Sequence, residues 1–275
     1  MRKRLLTLSL VIAAALGVFR GELARAFLQY GLNQATDDLF ARTIQISKVH
    51  LDWKGRVRIE SLKARLRAAS GPIPLEVRSI SSKNSFLRAF SDRGLALNFE
   101  GVHLQDSQRE GVSGEARIRM GREERFELQA DILSLGLEEI RWISPEHLAG
   151  SSGEIQGKVT LQSKASGAIL LEVQLRVREP GGRISARFFD LLLPYLPQIG
   201  SSERVAEIRA AGGLVGFHDA SLALSWKDSD RIKIFLHILV PDYNLDLNVN
   251  TEIRMDEKNS FSELAEIFGL INQKG

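Results

Sequence analysis

The chain has 275 residues, with 37 basic and 34 acidic side chains for a net charge of +3, and it contains no cysteine. The missing cysteines exclude disulfides and thiolate metal sites, and a small, dispersed positive excess excludes the clustered basic stripe that nucleic acid requires. A chain of this length buries a substantial core, in one elongated domain or in two ordinary ones.

The pattern divides the chain into an apolar segment 1–20, a connecting helix 21–43 and a long β region 44–275. The first segment carries Arg2, Lys3 and Arg4, then an apolar run over 5–19, then Arg20. Leu5, Leu8, Leu10, Val11, Ile12, Leu16, Val18 and Phe19 supply the apolar bulk of that run. As a helix its fifteen residues span about 22 Å, short of a ~30 Å hydrocarbon core by an amount that snorkelling basic residues cover. The basic residues ahead of it predict a cytoplasmic N-terminus, with everything from Gly21 onward on the far side. Ala13-Ala14-Ala15 and Ala15-Leu16-Gly17 also fit small-residue cleavage sites, so a retained anchor and a cleaved signal peptide both stand. Either one takes the chain out of the cytoplasm. No second apolar run is long enough to span a bilayer, which excludes a polytopic membrane protein.

Residues 21–40 read as a helix with Leu23, Phe27 and Tyr30 on one face, either capping the following sheet or lying on a membrane surface. From Ile44 the period becomes two. Ile44 and Ile46 alternate in one phase and Val49, Leu51 and Trp53 in the other, which predicts a bulge near Ser47. Lys54-Gly55 turns the chain into a second strand over 57–66. Further strands are predicted over 73–80, 95–104, 114–120, 125–133, 154–162, 169–178, 214–226, 231–240 and 243–255, making eleven in all. Short helices are predicted over 135–143, over 184–193 before Pro194 and Pro197, over 201–210 with Gly212-Gly213 as its stop, and over 260–271 behind Ser260. Ser113-Gly114-Glu115 and Ser152-Gly153-Glu154 each open a series of strand, turn, strand and helix, and Gly212-Gly213 opens a third strand-turn-strand. A sheet that grows along an axis follows.

The order of basic-apolar segment, helix and the strand pair from Ile44-Gln45-Ile46-Ser47 through Val57-Arg58-Ile59-Glu60-Ser61-Leu62 resembles the opening of the AsmA-like superfamily, which includes TamB and YdbH. The unit from Ser152-Gly153-Glu154-Ile155-Gln156-Gly157-Lys158-Val159 to a hydrophobic helix near Phe188 is similar to that superfamily's repeats. The resemblance implies a protein held in the inner membrane by one N-terminal anchor, with its bulk in the periplasm. It also implies a mainly β fold, one long curved antiparallel sheet bent into a gutter with an apolar inner face and a few short helices. Larger members are thought to conduct phospholipid toward the outer membrane. The GspN-like component of type II secretion is similar in size and plan, and it implies instead a structural accessory that binds envelope or secretion proteins by strand addition. Eleven strands at about 4.8 Å give a sheet only roughly 50–55 Å long, far shorter than in the largest members.

No arrangement of side chains predicts an enzyme, a metal or a cofactor. His50, His103, His147, His218 and His237 lack metal-ligand spacing. His218 and Asp219 are consecutive and point to opposite faces of a strand, and the neighbouring pairs Glu123-Glu124 and Glu138-Glu139 do not face one another either. Asn244, Asp246, Asn248 and Asn250 share a strand face, but steps of nearly 7 Å are too wide for one calcium ion. What remains is the apolar stripe. Leu97, Phe99, Leu128, Ile132, Leu171, Val173, Leu175, Ile234, Leu236 and Ile238 are its candidate lipid-contacting residues. The stripe is either the core of a dry sandwich or the lining of an open trough. The few helices predicted after residue 40 fall short of roofing eleven strands, which favours the trough. On that reading the protein handles phospholipid or supports outer-membrane assembly.

Overall fold

The computed structural model describes residues 25, 26, 29, 44–52, 54–66, 71–85, 94–104, 107, 109, 111–119, 125–163, 169–193, 200–227 and 231–254. The apolar run 5–19, most of the connecting helix 21–43, the Glu123-Glu124 pair, Pro194, Pro197 and the expected helix 260–271 lie outside the described residues. Among the described residues, no helix is long and apolar enough to cross a membrane.

Period-two sequence gives twelve strands: β1 (Gln45–Leu51), β2 (Val57–Leu66), β3 (Ile73–Ser82), β4 (Gly94–Leu104), β5 (Gly111–Arg119), β6 (Arg125–Gly136), β7 (Ser152–Ser163), β8 (Ile169–Ser185), β9 (Leu214–Phe217), β10 (Asp219–Lys227), β11 (Arg231–Val240) and β12 (Leu245–Arg254). They form one open antiparallel sheet in chain order, with β9 paired to β8 beside the main path. Sequence neighbours thus decide most of the topology; only β9 and β10 are consecutive and unpaired, both lying against β8.

The strand expected over 214–226 is two strands. His218 divides it, its N–H donating to the Leu239 carbonyl at 2.9 Å. β9 pairs with the last residues of β8, Gly182 to Ser185, and β10 pairs with its first part, Leu170 to Arg176. β8 is correspondingly longer than the expected 169–178, running through Pro180 to Ser185.

The bulge expected near Ser47 takes another form. The ladders skip Ser47 and Ser61 between β1 and β2, Ser61 and Arg78 between β2 and β3, and Arg78 and Gly101 between β3 and β4, with register unchanged on either side. One residue is passed over on both strands, so the apolar phase flips without adding a residue to either. Ser61 and Gly101 take the left-handed conformation that this requires, at φ 53° and 62°. The irregularity continues as true register shifts at Phe99/Val102, Gly111/Val112, Ile132/Leu135 and Gly153/Ile155. A seam therefore crosses the sheet from β1 to β8 and meets the break at His218.

One end of the sheet is capped. The helix expected over 135–143 is a continuation of β6 to Gly136 followed by two 3-10 turns, Leu137–Glu139 and Arg141–Ile143, because Leu135 pairs with Ile155 instead of starting a helix. Ile184 and Ser185 likewise finish β8, and the helical residues after them are the 3-10 turn Ala186–Leu191. An α-helix, α1 (Gly200–Ala211), follows and stops at Gly212 and Gly213, both at positive φ. A last 3-10 turn, Pro241–Tyr243, joins β11 to β12. The sequence echo is thus a hairpin followed by a helical turn, repeated at the same end of the sheet. Phe189, Val205 and Ile208 from these elements are wholly buried against Ile155, Val177, Ile238 and Leu247 of the sheet. A second buried cluster joins Ile44, just before β1, to Ile46, Val49, Ile59, Leu62, Ala64 and Val77 of β1 to β3.

Candidate functional site

The pairing places apolar residues in rows that run across the strands. Leu97, Ala116, Leu128, Leu161, Leu171, Trp226 and Ile232 are successive Cα partners on β4 to β8, β10 and β11. One step toward the cap stand Phe99, Gly114, Ala130, Val159, Val173, Leu224 and Ile234. The third row is Val112, Ile132, Gly157, Leu175, Leu222 and Leu236. Two-residue steps put all three rows on one face. At about 4.8 Å per strand the first row is roughly 29 Å long, and steps of about 6.8 Å make the three rows about 14 Å deep.

Gly114 and Gly157 interrupt these rows. A Cβ at Gly157 would stand 2.0 Å from the Gln174 carbonyl oxygen, and one at Gly114 would stand 2.0 Å from that of Gln129. No side chain fits at either point, so the floor is lowest over β5 and β7.

Eight of the ten residues singled out from the sequence, Leu97, Phe99, Leu128, Leu171, Val173, Leu175, Ile234 and Leu236, are half-buried on this face. The other two differ. Ile132 is 9% exposed and Ile238 2%, and both belong to the core under the cap. Val159, Leu161, Leu222, Leu224 and Trp226 share the face although they were not singled out. Their signal was the same alternation, visible at 159/161 and at 222/224/226. Leu224, Trp226 and Ile232 form a small buried cluster of their own, with Leu171, Val173 and Ile234 packed against it.

The three rows contain no titratable side chain. Charge is confined to the opposite face, where cross-strand pairs such as Lys158–Asp131 at 3.6 Å and Lys227–Glu172 at 2.6 Å tie neighbouring strands. Hydrogen bonding from Lys83 holds Glu115 below the usual carboxylate range, and Arg231 and Lys233 do the same for Glu252. At the capped end Arg109 bonds Glu138 and the buried Glu139, which also accepts from the Ser107 hydroxyl at 2.6 Å. These contacts fasten the β4–β5 connection to the first 3-10 turn. Glu154 is lowered by the Ser134 hydroxyl and by Arg178, 3.2 Å away.

The remaining polar candidates fall on the charged face or in the connections. His237 lies 3.0 Å from Asp246 and 3.7 Å from Asp219, while His50 lies 3.4 Å from Glu60. His147 shares a hydrogen bond with Ser144 at 2.8 Å. His103 is half-buried, and His218 is exposed at the break between β9 and β10. Asn244 is the left-handed residue that ends the last 3-10 turn, so only Asp246, Asn248 and Asn250 lie along β12, all exposed. No group of three or more metal-ligating side chains occurs among the described residues. Two cavities of about 560 and 510 Å³ sit at the capped end, one between Arg187, Asp190, Arg209 and Leu214, the other between Pro72, Pro74, Arg141 and Trp142. Neither touches the three rows. Among the described residues the three rows present a largely half-buried apolar surface without a titratable side chain.

No protein-family model, no curated protein and no solved structure matches the chain.

Proposed function

We propose that the chain is an extracytoplasmic, membrane-anchored carrier whose open apolar face holds the acyl chains of phospholipid, either in transit or in support of outer-membrane assembly. One observation carries the reading: apolar rows lie in register over six or seven strands, and apart from the buried Ala130, Ile132, Leu224, Trp226 and Ile232 their residues are only half-buried, with no second sheet over them among the described residues. Monomeric proteins rarely leave so continuous an apolar surface open without a use for it. Each half of a ~30 Å hydrocarbon core is about 15 Å thick, so a floor of roughly 29 Å takes an acyl chain at full length.

The action is passive. Removing apolar surface from water contributes about 25 cal/mol per Å², and aliphatic rows give no fixed polar anchor, so hydrocarbon slides more readily than it is captured. Head groups stay at the open side. Native mass spectrometry of the full chain extracted in detergent checks this. Co-purifying phospholipid is expected, and a bare chain under lipid-retaining conditions would contradict it.

A second reading, a structural accessory of a secretion machine, draws on the outer edge of β12, with which no strand pairs among the described residues. Such an edge accepts a partner's strand.

A further inference from the structure

We propose that β12 pairs with β12 of a second copy, antiparallel about a two-fold axis through Asn250. The inference is independent of what the apolar face carries. An open sheet has two edges. On that of β1, helical Arg25 donates from Nη1 to the Ser47 carbonyl at 3.3 Å. That of β12 offers ten residues without glycine or proline, and nothing among the described residues pairs with it. Unpaired main-chain groups of this kind are a template for another strand.

The residues on β12 select the partner and the register. The strand alternates the buried Leu245, Leu247 and Val249 with the exposed Asp246, Asn248, Asn250 and Glu252. Like faces must meet like, so only registers in steps of two are allowed. Centring on Val249 sets Asp246 opposite Glu252 of the second copy, twice over, a like-charge contact that destabilises a sheet. Centring on Asn250 sets Asp246 opposite Arg254 at both ends, with Asn248 opposite Glu252 and Leu247 opposite Ile253. Charge is complementary and the apolar face continues across the junction. The axis is normal to the sheet, so both copies present the same face to the same side.

The absence of cysteine makes the test direct. At the proposed axis the two Asn250 Cα atoms are about 4.5–5.5 Å apart, within disulfide reach, while those of Asn248 are displaced by about 13 Å, beyond it. Full chain purified in detergent and carrying Asn250→Cys should oxidise to a covalent dimer, and Asn248→Cys should not. Sedimentation of the cysteine-free chain should show a dimer that Asp246→Arg dissociates and that Asp246→Arg with Arg254→Asp restores. The swap does not rebuild the His237 contact within one copy, so its rescue reports the junction alone. A monomeric chain, equal cross-linking at both cysteines, or a swap that fails to restore the dimer would overturn the proposal. The first of these is also the outcome if another part of the same chain lies on this edge.

Discussion

Leu171 and Ile238 have similar side chains on the same face of the sheet, yet they do different work. Leu171 is half-buried on the floor, whereas Ile238 is 2% exposed beneath the cap. Truncating a fully buried isoleucine leaves a cavity, so Ile238→Ala should cost about 2–5 kcal/mol. Leu171→Ala removes surface that water already reaches in part, and about 1 kcal/mol is expected. Urea unfolding of the two variants measures both; equal losses would mean that the floor is as closed as the core. A second residue-scale effect concerns Glu154, whose carboxylate accepts from Ser134 and pairs with Arg178. Its folded pKa lies below the ordinary glutamate value of 4.5, so the folded state binds fewer protons than the unfolded one near that pH. The stabilisation is complete above the ordinary value and is lost as pH falls through the lowered one. Thermal unfolding followed from pH 7 downward should show this loss for the parent chain and a smaller one for Glu154→Gln.

At the scale of elements, the cap decides which half of the apolar face is core. α1 is polar along most of its length and is fixed by two residues three apart, Val205 and Ile208, both wholly buried. Ile208→Ala should therefore cost about 2–5 kcal/mol. It should also raise amide exchange in α1 and in 186–193 while leaving β1 to β3 unchanged, because their buried residues form a separate cluster. Exchange spreading evenly over the sheet would show that the cap and sheet open as one unit.

The strands were legible because each needs only its own alternation, and β11 has the same bounds in the structure as in the pattern. The missed features depend on neighbours. Leu135 has the spacing to open a helix and joins a strand because Ile155 stands beside it, and β8 outruns Pro180 because β9 waits to pair with Ser185. The candidate site was legible in the same degree. Alternation put Ile132 and Ile238 on the same face as Val173, but only the fold shows that the 3-10 turns and α1 close over them.

Over the whole molecule the sheet is amphipathic from one side to the other. Ion pairs and amides occupy one face, aliphatic rows the other, and the helical elements gather at one end. A sheet of this size ordinarily buries its apolar face against a second layer. Here the 3-10 turns and α1 close the capped end, Val49, Ile59 and Leu62 are buried on the β1 to β3 side, and the half-buried rows between are what the proposed function uses.

The most direct test places a photoreactive residue at Val173, on the floor, or at the adjacent Gln174, on the opposite face, in cells whose phospholipid carries labelled phosphate. The account predicts a labelled lipid adduct from position 173 and none from position 174. Equal labelling at both positions, or none at 173 with the chain folded, would contradict it.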